Sequence, residues 1–148
     1  MREVREVVGR TMDEAWNSGF DIVAELFGEN HVYHDPLMPD LPAGPAGVRF
    51  AVDMLVTAMP DGVLAIDEWV EEHESLVARW TWTGTNTGPL MGMAPTGRHA
   101  TLRGTHIFHF RDDVIAETWA SYDALGLLGQ LGLVTLGIAL GDPPPLDD

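Results

Sequence analysis

The feature that most constrains this chain is a change of hydrophobic period at Val63. Before it, apolar residues recur at helical spacing: Val4, Val7, Val8, Met12, Ala15 and Trp16, then Val48, Ala51, Val52, Leu55 and Met59. After it the repeat drops to two. Segments 63–72, 76–83, 100–110 and 114–122 read as four strands, joined by Glu74-Ser75, a long 84–98 connection and Arg111-Asp112-Asp113. Helices followed by a meander of long strands predict an α+β fold: a cone-shaped, curved antiparallel sheet with the N-terminal helices packed on its concave side. The interior of such a cone is a natural ligand cavity, expected to be deep and apolar.

Turn residues divide the helical half. Asn17-Ser18-Gly19 ends the first helix, and Asp21 can cap a second short one over 22–27. Residues 31–35 read as a short strand stopped by Pro36, and the Pro- and Gly-rich 37–45 segment as a loop. A third helix spans 46–58 and ends at Pro60-Asp61-Gly62. No linker splits the chain, so 1–133 is expected to be one domain. The 134–148 extension, with Pro143-Pro144-Pro145 followed by acids, is expected to be partly disordered.

Composition narrows the partners. The 148 residues carry 8 basic and 23 acidic side chains, a formal charge of −15, which argues against nucleic acid because phosphate neutralisation needs clustered Lys and Arg. There is no cysteine, hence no disulfide, thiolate metal site or cysteine nucleophile. That fits a reducing, cytoplasmic setting. The charged start Met1-Arg2-Glu3-Val4 is not expected to act as a secretory signal. The uncharged 124–141 stretch contains five glycines and lacks basic flanks, so a short helix and an apolar cover are expected there rather than a membrane span. The expected partner is an apolar or aromatic small molecule, or another copy of the chain.

Strand alternation sorts the candidate site residues. Leu102, Gly104, His106, Phe108 and Phe110 share one face of their strand, apolar except for His106. That imidazole is either a satisfied core histidine or a group facing a ligand, and Gly104 beside it marks a bend or the close approach of a ligand. Trp80 and Trp82 share a face with Leu76 and Ala78 and either line the pocket or fill the core. Arg79, on the other face, either binds a substrate oxygen or forms a salt bridge where sheets meet. Glu117, Trp119, Ser121 and Asp123 share a parity on the last strand. Asp123 is either the N-cap of the following helix or a carboxylate at the pocket mouth, where desolvation would make it a useful base. His34 and Asp35 point to opposite faces, so at most one of them looks inward. The pairs His31/His34 and His106/His109 likewise split between faces, which argues against a metal site. No serine-hydrolase, P-loop or dinucleotide motif is present.

Several runs, taken in order, resemble SnoaL-like polyketide ester cyclases: His34-Asp35-Pro36, Gly44-Pro45-Ala46-Gly47-Val48, Ala78-Arg79-Trp80-Thr81-Trp82-Thr83-Gly84-Thr85-Asn86-Thr87-Gly88, Pro95-Thr96-Gly97-Arg98, Arg103-Gly104-Thr105-His106-Ile107-Phe108, Ile115-Ala116-Glu117-Thr118-Trp119, and the stretch from Asp123 through Gln130-Leu131-Gly132. His109, where the family often has Arg, and Asp112-Asp113, in place of a Gly-containing turn, depart from the pattern. The resemblance implies a fold like nuclear transport factor two and ketosteroid isomerase, and a homodimer or homotetramer joined through the sheets. It also implies antibiotic biosynthesis by intramolecular aldol ring closure of a polyketide ester, with no metal or organic cofactor. Asp123 would move the proton and His106 would orient or polarise a carbonyl, with His34, Asp35, Trp82, Phe108 and Trp119 contacting substrate. The same scaffold also supports cofactor-independent hydroxylation, epoxide hydrolysis through an Asp–Arg–Asp set (here Arg79 is followed by Thr81 rather than an acid), and passive binding of an apolar ligand.

Overall fold

The computed structural model describes residues 2–17, 20–22 and 24–135. Helix α1 spans Arg2–Asn17. Strand β1, Phe27–His34, is followed by α2, Pro45–Ala58. The meander comprises β2, Val63–Glu72, β3, Ser75–Thr85, β4, His99–Arg111, and β5, Val114–Tyr122. A final helix, α3, covers Ala124–Gln130. The ranges expected for β2 and β5 coincide with those observed, and β3 and β4 each run slightly longer.

Two expectations are corrected. The helix expected at 22–27 is replaced by two single 3₁₀ turns, Phe20–Ile22 and Ala24–Leu26, and Phe27 already belongs to a strand, paired with Ile115. Tertiary pairing overrides a helical stretch too short to hold itself. The sheet is also not purely antiparallel. Its order is β1-β5-β4-β3-β2, and β1 lies parallel to β5. A parallel neighbour needs a long crossover, supplied here by everything from α2 through β4. Register irregularities at Ile66/Glu68 and His109/Phe110 add the local twist that lets the sheet curve. Residues 136–148, most of the expected extension, lie outside the described residues, as do Ser18 and Gly19.

The strand parity is settled by burial. Leu76, Ala78, Trp80 and Trp82 of β3 and Leu102, His106, Phe108 and Phe110 of β4 face inward, while Arg79, Arg103, Ile107 and His109 are exposed. Helix α1 covers β2, α2 covers β1, and α3 packs on β4, all contributing to one core. Val8, Met12 and Trp16 carry the α1 contribution; the side chains of Val4, Val7 and Ala15 lie outside the described ones. Gly104 pairs with Trp80 across the β3–β4 ladder, and a Cβ at Gly104 would collide with the indole ring. The glycine therefore makes room for a tryptophan, not for a ligand or a bend. Gly104→Ala is expected to displace Trp80 and cost about 1–3 kcal/mol by overpacking. Urea unfolding would measure this, and an unchanged midpoint would contradict it.

Candidate functional site

Inside the sheet the structure builds a chain of hydrogen bonds through apolar surroundings. Trp80 Nε1–H donates to His106 Nδ1 at 2.5 Å, and His106 Nε2 lies 3.0 Å from the Tyr33 hydroxyl. Phe108 stacks on the imidazole, with ring centroids 5.6 Å apart and planes 9° from parallel. Burial holds the His106 pKa down to about 3, so the ring is neutral at physiological pH. The open choice for His106 resolves to a ring with both nitrogens engaged by protein groups.

A second polar group lies where β1 ends. Asp35 accepts hydrogen bonds from the Leu37 amide at 2.8 Å and the Tyr122 hydroxyl at 2.9 Å. Desolvation raises its pKa despite these bonds and one from the Met38 amide. Burial also raises the pKa of both Tyr33 and Tyr122, with a further push from Asp35. Of the pair His34/Asp35, Asp35 is the one that turns inward. The chain has two tyrosines, and both hydroxyls sit in this region. Sequence reasoning missed both. The available signal was parity: Tyr33 is two residues from Asp35, and Tyr122 shares its face with Thr118 and Ala120.

The remaining predicted site residues are dispersed. His34 and Trp119 stand on the outer face of the sheet, corrected from the pocket lining. Their rings stack with centroids 5.0 Å apart, His34 Nε2 lies 2.6 Å from Glu117 Oε2, and His109 approaches Trp119 edge-on at 4.7 Å. Ile115 faces inward, the register shifts opposite His109/Phe110, and from Thr118 on the even-numbered β5 residues face inward, which sends Glu117 and Trp119 outward. Arg79 pairs on the same outer face with Glu68, 3.1 Å away, and Asp67 within its own chain. Trp82 is core, edge-on to Trp16 at 5.2 Å. Asp123 is the N-cap of α3: its Oδ1 accepts the Gly126 amide at 2.8 Å, and the side chain is exposed. A Cβ at Gly126 would strike that carboxylate, so the glycine allows the cap to close. Gln130 fastens α3 to β4 through paired bonds with the Thr101 backbone, 2.8 and 2.9 Å.

The deep chamber expected from the sequence is filled. The void between α1, α2 and the sheet measures about 20 Å³, room for about one water, and is bounded by Met12, Trp16, Phe27, Val48, Val52 and the Tyr33–His106–Phe108 surface. A larger apolar depression of about 510 Å³ opens outside it, walled by Met38, Phe50, Met54, Pro89 and Met91 with Asp53 at its margin. Met38 walls the depression, and its backbone amide bonds the Asp35 carboxylate. The 86–98 loop is fixed by buried Asn86, which bonds Ala58 O and Gly88 O and accepts the Thr96 amide. Among the described residues no group of His, Asp and Glu is placed to hold a metal, and no helix is long and apolar enough to cross a membrane.

A second buried imidazole, His31, bonds Thr118 Oγ1 at 2.8 Å, and burial lowers its pKa to about 4. Both histidines are neutral when folded but carry an ordinary value of 6.5 when free, so the unfolded chain binds more protons below that pH. Their stabilisation is complete above pH 6.5 and is lost on acidification toward the folded values of about 4 and about 3. Asp35, with a raised pKa, acts in the opposite sense from its ordinary 3.8 upward. The expected slope is up to about 1.4 kcal/mol per pH unit for each histidine. Urea unfolding at stepped pH should show a shallower acid decline in His31→Gln than in the unsubstituted chain; parallel curves would contradict this.

Comparison with known proteins agrees with this architecture. No curated protein matches the sequence. Among solved structures, TsrD from Streptomyces laurentii superposes with a TM-score of 0.79 at 27% identity, covering 90% of this chain and 97% of TsrD. IdmH from Streptomyces antibioticus, a candidate polyketide cyclase, gives 0.72 at 26% identity, covering 87% of this chain and 98% of IdmH. A Catenulispora acidiphila protein of ketosteroid isomerase-like fold gives 0.71 at 14% identity, covering 86% and 92% of the two chains, a likeness of fold alone. The profile of the SnoaL-like polyketide cyclases matches residues 6–131, and with that span the chain belongs to this family.

Proposed function

We propose that the protein closes a ring in an aromatic polyketide ester by an intramolecular aldol reaction, without a cofactor. A carboxylate takes a proton from the carbon between two carbonyls. The enolate attacks a ketone in the same molecule and a carbon–carbon bond forms. The resulting alkoxide then recovers the proton from the carboxylic acid, so the carboxyl group ends as it began. Holding both reacting carbons together supplies much of the acceleration.

The observation that carries this reading is Asp35: a carboxylate of raised pKa, held by Tyr122 and the Leu37 amide, three residues before Met38, which walls an apolar depression of ligand size. The family resemblance assigns the proton to Asp123, which directly follows Tyr122 and keeps one carboxylate oxygen outside the Gly126 bond. His106, with both nitrogens occupied, serves as a positioning residue in this scheme.

Two matched variants separate the carboxylates. Asp123→Asn keeps the cap, because Asn caps as well as Asp, and Asp35→Asn keeps an oxygen that can accept from Leu37 and Tyr122. Turnover of a β-keto ester polyketide is expected to fall at least 10²-fold in whichever variant has lost the base, at unchanged melting temperature. Full activity in both would end the acid–base reading and leave a passive binder. We further propose that two copies join through the outer sheet face, where Val32, Val70 and Ile107 are exposed beside Trp119. Trp119→Glu is then expected to halve the mass seen by sedimentation equilibrium, and a monomeric parent chain would contradict it.

A further inference from the structure

The hydrogen-bond chain through His106 has a direction, fixed by its first member. An indole nitrogen can only donate. Since Trp80 Nε1–H points at His106 Nδ1, that nitrogen must present a lone pair, and the neutral ring must carry its proton on Nε2. Nε2–H therefore donates to Tyr33 Oη. Tyr33 accepts there, and its own hydroxyl hydrogen is left to point elsewhere. The bond to His106 is the one hydrogen bond this hydroxyl makes among the described residues. Tyr33 is 8% exposed and borders the void of about 20 Å³, whose other walls are apolar apart from His106. A void of that size accommodates a single oxygen atom of a ligand or one water.

We propose that the Tyr33 hydroxyl is a pre-oriented donor for a carbonyl oxygen of an aromatic ketone or ester, seated in the void beside His106. A buried donor of fixed direction discriminates strongly between ligands that carry an acceptor and those that do not, because the latter leave it unsatisfied. In the ring-closing reaction, on which only the catalytic part of this inference rests, the same hydroxyl faces the carbonyl oxygen that gains charge as the enolate forms. Such a donor acts on the transition state more than on the ground state. Trp80 and His106 are then positioning residues, setting the sense of the bond without touching the ligand.

Three measurements test this. Nitrogen NMR of histidine-labelled protein is expected to show His106 protonated at Nε2 and bare at Nδ1; a proton on Nδ1 overturns the proposal. Binding is then compared for acetylnaphthalene and isopropenylnaphthalene, which share a shape but differ by the carbonyl oxygen. The ketone is expected to bind about 5-fold more tightly, with the preference abolished in Tyr33→Phe. No preference in the parent chain, or the same preference in both chains, overturns it. In the ring-closure assay, Tyr33→Phe is expected to lower kcat by about 10²-fold with little change in KM. A Tyr33-dependent ketone preference without ring closure upholds this site and removes the proposed reaction. Ring closure unaffected by Tyr33→Phe keeps the reaction and removes the catalytic role of Tyr33.

Discussion

The indole of Trp80 sets the character of the interior. It lies across Gly104, where any side chain would exclude it, and its nitrogen holds His106 in one tautomer. The imidazole in turn meets Tyr33 of the edge strand β1 and stacks on Phe108. A polar ring buried this deeply costs several kcal/mol unless its nitrogens are satisfied, and here both are. Strand spacing, a missing side chain and a donor-only heterocycle together decide where charge can and cannot appear in this molecule.

Around that ring the sheet separates two environments. The inner face is apolar and carries neutral histidines and high-pKa tyrosines. The outer face carries the Arg79–Glu68 pair, the His34–Glu117 pair and the Trp119 stack. Among the described residues the acidic side chains are mostly exposed, and Asp35 is a carboxylate drawn inward. The connection between the helical layer and the sheet is maintained by side-chain-to-backbone bonds: Asn86 ties the 86–98 loop to the end of α2, and Gln130 ties α3 to the start of β4. Both residues lie in the runs that carry the family resemblance.

The change of period at Val63 made the meander legible, because alternation is a local property. Two strands matched to the residue, and the two parities of β3 and β4 were correctly separated even before one could be named as inner. What remained hidden was nonlocal. Nothing in 27–34 announces a parallel partner in β5, so β1 appeared too short. The resemblance implies substrate contacts for His34 and Trp119, but strand alternation and the path of β5 turn both to the outer face, where their rings stack. The two readings of Asp123 could not be separated without coordinates, since a cap and a mouth carboxylate require the same residue at the same place. The collapse of the chamber depends on how large side chains from α1, α2 and β1 meet, which no pattern along one element reveals.

The edge position of β1 has a consequence for how the molecule assembles. Tyr33 and His106 are 73 residues apart, and Asp35 and Tyr122 are 87 apart. The meander β2–β5 can form by successive hairpins, two with tight turns and one through the 86–98 loop, but β1 must wait for β5 to exist as a template. Closing so long a segment carries a larger entropic cost than any hairpin in the meander. The groups that would do chemistry are thus split between the strand that docks late and the strands that form early. Until that last strand is seated, the chain can hold most of its sheet and the Trp80–His106 bond, but neither Tyr33 nor Asp35 is in place against its partner.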